Sequence, residues 1–63
     1  MINKIMKKII FVVMNDDGEL EYAFHDEEDA VTYCQKVVED WGDPELKPED
    51  WESYFWIQRV ELI

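Results

Sequence analysis

The side chains able to do chemistry in this chain are almost all carboxylates: sixteen Asp and Glu accompany one histidine, His25, and one cysteine, Cys34. A general base or a ligand needs partners within reach, and His25, standing alone just ahead of an acidic run, reads as a turn residue. Glu27 and Glu28 fall near other acids, but so many carboxylates on so small a surface make such pairs inevitable, and no pocket-forming pattern accompanies them. Gly18 and Gly42 cannot build a loop that cradles phosphate. The stretch Asn15-Asp16-Asp17-Gly18-Glu19 has the look of a calcium loop, yet that loop spaces its ligands over about twelve residues between two helices, and strands flank this one. The expectation is a protein that is not an enzyme, with no catalytic residue, no metal and no cofactor.

The distribution of the acids points to binding. Lys4, Lys7 and Lys8 are half of the six basic residues, so residues 9 to 63 carry 3 positive against 16 negative side chains, a net charge of −13. Such a charge repels itself and strains a small compact state. One block of acids runs through Asp16, Asp17, Glu19, Glu21, Asp26, Glu27, Glu28 and Asp29, with no basic residue between them. A second runs through Glu39, Asp40, Asp43, Glu45, Glu49, Asp50 and Glu52, relieved by Lys47 alone. Acids two apart on one strand face, such as Glu19 and Glu21, are expected about 6.5 to 7 Å apart, on the scale of neighbouring phosphates in duplex DNA. Two rigid anionic ridges could occupy a basic groove that reads backbone charge and shape. The candidate phosphate-mimicking residues are Asp16, Asp17, Glu19, Glu21, Glu27 and Glu28 on the first ridge and Asp43, Glu45, Glu49, Asp50 and Glu52 on the second.

Large aromatics interrupt the second block, and buried aromatic anchors carry much of the affinity at interfaces where charge mainly steers. Trp41 lies on a helical stripe and is assigned to the core; Trp51, in a connection, is the candidate anchor. Charge runs usually serve as a solubilising surface. The rival reading is therefore a small interaction module that uses a strand edge or the Trp51 region, with acidity serving solubility.

Positioning these residues requires three strands and a helix. Lys8 to Met14 is rich in β-branched residues and runs into Asn15-Asp16-Asp17-Gly18, which predicts a hairpin. Its second arm alternates, with Leu20, Tyr22 and Phe24 expected on one face and Glu19, Glu21 and Ala23 on the other. Asp26 is placed to cap a helix through its side chain, followed by acids in the first turn where the dipole favours them. Ala30, Tyr33, Cys34, Val37, Val38 and Trp41 form the apolar stripe of that helix, and Gly42 and Pro44 end it. Pro48 is expected to open a short helical turn through Glu49, Asp50 and Trp51. In Ser53 to Leu62 the apolar positions change phase, Phe55 and Ile57 against Val60 and Leu62, so a bulge near Gln58-Arg59 is expected. The fold class is α+β: a three-stranded antiparallel sheet with one amphipathic helix packed on one face, in the order β-β-α-β, with residues 1 to 63 as a single small acidic domain.

At 63 residues, folding buries only roughly 60% of the surface of the unfolded chain, so a homodimer is one expectation. A lone cysteine fits a reducing cytoplasm, and the longest apolar run, Ile9 to Met14, is far short of the roughly 20 residues that span a bilayer. A cytoplasmic protein with no membrane contact is expected.

The stretch Phe24-His25-Asp26-Glu27-Glu28-Asp29-Ala30-Val31-Thr32-Tyr33, after a hairpin and before a late strand ending Val60-Glu61-Leu62, resembles small uncharacterised β-β-α-β domains of phage and bacterial genomes. That resemblance implies a fold. In its small size, extreme acidity and lack of catalytic groups the chain also resembles phage-encoded DNA-mimic proteins, which bind host DNA-binding proteins such as histone-like nucleoid proteins of the HU type. This second resemblance implies an inhibitor acting in host takeover, with a basic DNA-binding protein of the host as partner and no direct contact with nucleic acid.

Overall fold

The structure, a computed structural model, describes residues 8–62; Lys4 and Lys7 lie outside them. Strand β1 spans Lys8–Asn15, β2 Leu20–Phe24 and β3 Phe55–Leu62, with helix α1 at Glu27–Asp40 and a 3₁₀ segment at Pro48–Ser53. The sheet order is β2-β1-β3, antiparallel throughout, with β1 in the centre. The expected three-stranded sheet and single helix are both present, in the expected β-β-α-β order.

The hairpin turn is built around Asn15. Its backbone carbonyl accepts the Gly18 N–H at 3.0 Å and its own N–H donates to the Glu19 carbonyl at 2.9 Å. Its Oδ1 accepts the N–H groups of Asp17 at 2.9 Å and Glu19 at 3.0 Å. Gly18 turns the chain at φ 79°, a left-handed conformation that glycine adopts without steric cost. Asp16 and Asp17 are thereby held at the tip.

Beyond the turn the ladder slips. Val13 faces Tyr22, but Met14 faces Leu20, so Glu21 is an extra residue on β2. Residues paired directly across an antiparallel ladder share a face, and the slip therefore separates Leu20 from Tyr22 and Phe24. This corrects the expected alternation: Leu20 joins Met14 on one face, while Tyr22 and Phe24 lie on the other, against Tyr33 of the helix. For the same reason Glu19 and Glu21 do not stand two apart on one strand face. Glu19 belongs to the turn, and Glu21 lies outside the ladder.

The bulge expected in β3 is absent. All eight β3 residues pair with β1 in one register, from Lys8 opposite Leu62 to Asn15 opposite Phe55. The change of phase has another cause: Phe55 and Ile57 face the helix, whereas Val60 and Leu62 face away from it. Two apolar faces, rather than a kink, account for the pattern.

Helix α1 packs across the sheet through Ala30, Cys34 and Val38, which close over Val13 and Phe55 to make the core, with Tyr33 and Val37 partly buried beside them. Asp26 holds the N-cap position, its carbonyl accepting the Ala30 N–H at 3.2 Å, but its side chain makes no capping bond. The position was legible and the interaction was not. At the other end Gly42, φ 70°, donates its N–H to the Glu39 carbonyl at 3.1 Å and terminates the helix. Asp43 then sets the next turn, its Oδ1 accepting the Glu45 N–H at 2.9 Å. The helical turn expected at Pro48 is present and continues to Ser53.

Candidate functional site

All sixteen carboxylate side chains fall within the described residues, and all are exposed. Among those residues the one ion pair joins Arg59 and Glu61, Nη1 to Oε1 at 3.3 Å. The acids are also confined in space. By register, the face of the sheet away from the helix carries Lys8, Ile10, Val12 and Met14 of β1, Leu20 and Ala23 of β2, and Trp56, Gln58, Val60 and Leu62 of β3. No carboxylate is among them. The anionic surface is therefore one-sided, made by the hairpin tip, the helix and the connection that follows it.

Two grooves run along this side. One, of about 420 Å³, lies between the start of α1 and the 3₁₀ segment; it is lined by Glu27 and Glu52 with Val31 and Trp51, and at the edge strand β3 it reaches Trp56, on the border of the open face. Glu27 belongs to the first acidic block and Glu52 to the second, so the two ridges meet here. The other groove, of about 300 Å³, brings Asp16, Asp17 and Glu21 of the hairpin beside Trp41 and Tyr54. Glu28 lines a third hollow with Glu27 and Asp29 at the start of the helix. Glu19, Asp43 and Glu45 on turns and loops, and Glu49 and Asp50 on the 3₁₀ segment, are exposed and line none of these grooves.

The aromatic residues divide differently from the expectation. Trp41, assigned to the core by its helical spacing, is 47% exposed. It stands at the C-cap, where its ring meets Tyr54 edge-on at 5.3 Å and stacks on Phe55 at 5.9 Å. The core contacts of α1 end with Val38, one turn earlier, so a residue in phase with the stripe can still overhang the sheet's end. Trp51 is half-buried, packed on the core cluster while lining the larger groove.

Glu21 holds two partners through its two carboxylate oxygens. One carboxylate oxygen accepts the Asn15 Nδ2–H at 2.9 Å and the other accepts the Tyr33 hydroxyl at 3.5 Å. Burial, together with the Glu21 charge and hydrogen bond, raises the Tyr33 phenol above its usual range. Burial likewise pushes the Cys34 thiol up to about 11, with Glu21 adding to the shift. A thiol so protonated is a poor nucleophile, and Cys34 acts as a small core residue.

Sequence reasoning missed two features: the groove beside Trp41 and Tyr54, and the apolar face turned away from the helix. The second had a signal, because Val60 and Leu62 were out of phase with Phe55 and Ile57 and could have been read as belonging to another surface. Among the described residues no helix is long and apolar enough to cross a membrane, and no three His, Cys, Asp or Glu side chains are grouped so as to hold a metal ion. No protein-family model matches the chain, and neither a curated protein nor a solved structure is similar to it at a significant level.

Proposed function

We propose that this protein is a DNA mimic that lays its anionic side on the basic DNA-binding surface of a host protein and keeps nucleic acid from it. The observation that carries the reading is the one-sided surface: sixteen exposed carboxylates, nearly all without a cationic partner among the described residues, and none on the open face of the sheet. Unpaired surface acids cost folding stability through mutual repulsion, and confining them to one side concentrates the potential a basic cleft would meet. The grooves add places for the partner's side chains. An Arg or Lys entering between Glu27 and Glu52 would meet a carboxylate pair and the Trp51 ring together.

A cleft that reads backbone charge and DNA shape tolerates an approximate match better than one that reads base edges. That favours a nucleoid-associated partner of the HU type and action in the cytoplasm of a bacterial host, consistent with a phage-encoded inhibitor. The test is displacement of labelled duplex DNA from a purified HU-type protein by the full chain, after capture from bacterial lysate to identify what is bound. Displacement is expected to weaken steeply with salt and to vanish when Glu19, Glu21, Glu27 and Glu28 are all changed to Gln. A complex indifferent to both would sink the mimicry reading. The groove beside Trp51 favours one rival, an interaction module anchored there. On that reading Trp51→Ala, in protein shown by circular dichroism to remain folded, weakens capture more than any pair of charge changes.

A further inference from the structure

The open face of the sheet is the feature that the anionic side leaves unexplained. Leu20 is 62% exposed, Trp56 47% and Leu62 44%, and register places all three on this face with the half-buried Ile10, Met14 and Val60 around Val12, which is buried among them. α1 and the 3₁₀ segment pack against the opposite face, and of this face only Trp56, on the edge strand, borders them, in the groove beside Trp51 and Glu52. Folded monomers rarely leave a contiguous apolar surface of more than a few hundred square ångströms uncovered.

We infer that this face is the interface between two copies of the chain, stacked sheet on sheet with both helices outward. Charge decides which face two copies can share. Each chain carries a net charge of −10, and two such bodies can approach closely only through a surface free of carboxylates. The open face is such a surface, with Lys8 and Gln58 as its polar members. Extent agrees with a second copy. β1 and β3 each run eight residues and β2 five; at about 3.3 Å per residue and about 4.8 Å between strands the face measures roughly 26 by 10 Å over β1 and β3, with a further strip of roughly 16 by 5 Å over β2. Two such faces, with the relief of their side chains, withdraw on the order of 1,000 Å² from water, where specific interfaces begin. Stacked sheets sit about 10 Å apart, which sets the two anionic sides back to back on opposite surfaces of the dimer.

The pairing has a signature opposite to that of partner capture. Salt screens the repulsion between the two anionic bodies without weakening apolar burial, so the dimer tightens with salt whereas a complex with a basic partner loosens. The experiment is sedimentation equilibrium of the full chain from about 0.05 M to about 0.5 M salt, with Val60→Glu, Leu20→Glu and, on the exposed helix surface, Thr32→Glu. All three substitutions add one negative charge and differ in the face that receives it. The expected result is a wild-type dimer that strengthens with salt, retained in Thr32→Glu and weakened roughly 100-fold in each of the other two. Leu20 is so exposed that its replacement should leave the monomer folded, which circular dichroism checks. A wild-type monomer overturns the inference, as does a dimer that survives Leu20→Glu and Val60→Glu. A monomer that uses these residues to hold a different protein assigns the face to that protein and also overturns it. DNA displacement is a separate readout, so failure of the dimer and failure of the mimicry reading are distinguishable.

Discussion

On the helix side of the sheet, Val13 and Phe55 are sealed beneath Ala30, Cys34 and Val38. On the opposite side Ile10, Met14, Leu20, Trp56, Val60 and Leu62 have comparable apolar character, and none of them belongs to that buried cluster. The helix side is ringed by acids and the open side has none. A small chain with a strong charge thus separates two tasks that usually share a surface: carboxylates face whatever is basic, and hydrocarbon is gathered where no carboxylate has to be desolvated. The difference teaches that high net charge need not oppose association, provided the charge is kept off one face.

Several measurements would break or sharpen this contrast. The largest effect is expected on the anionic side. If six to ten carboxylates take the place of phosphates, raising salt from about 50 to about 200 mM should weaken partner binding by roughly 10³-fold or more, read by anisotropy competition. A flat response would mean that the acids are only a solubilising coat. Next, the two faces should answer differently to the same truncation. Val13→Ala removes two methyl groups from a sealed position and is expected to cost about 2 kcal/mol in urea unfolding. Val60→Ala should cost well under half of that in the monomer, because water already reaches that face. Equal costs would show that the open face is covered even in the single chain.

A smaller effect is expected in alkali. Folding holds the Cys34 thiol neutral up to about 11, against an ordinary value near 9.0, and raises the Tyr33 phenol in the same direction. The folded state therefore binds these protons more tightly than the unfolded state, and the stability they contribute is fully present below pH 9. It is lost as pH rises from about 9 towards 11. Urea midpoints should fall through that window, and Cys34→Ala should lessen the fall. Smallest of all, Asp26→Ala should cost only a few tenths of a kcal/mol, against about 1 kcal/mol for an ordinary cap. The Asp26 side chain makes no capping bond, so its residual contribution is its charge at the helix start.

The fold was largely legible in the residues. β-branched runs, a turn closed by Gly18 and an apolar stripe at helical spacing are local signals, and each local preference agreed with its neighbours. What escaped were the consequences of pairing. Which way Leu20 points depends on a slip in the ladder between β1 and β2, and nothing in the second strand alone announces it. The out-of-phase Val60 and Leu62 were a true signal given the wrong cause, because a surface that no element of the same chain covers has no local marker. The acidic blocks were legible as composition. Their confinement to one side, and the meeting of Glu27 with Glu52 across a groove, came only from the packing of α1 and the 3₁₀ segment.

The slip at Glu21 also gives the hairpin a parity. Side chains in a strand alternate, so a change of one residue in length normally exchanges the faces of everything beyond it. Glu21 is outside the count: removing it would leave Val13 opposite Tyr22 and Met14 opposite Leu20, as they are now. Removing either neighbour would instead draw Glu21 into the ladder. It would take its place on the open face if Leu20 were lost, or against Val13 if Tyr22 were lost. This strand therefore has one position where its length can shorten by one without carrying an acid onto either apolar surface.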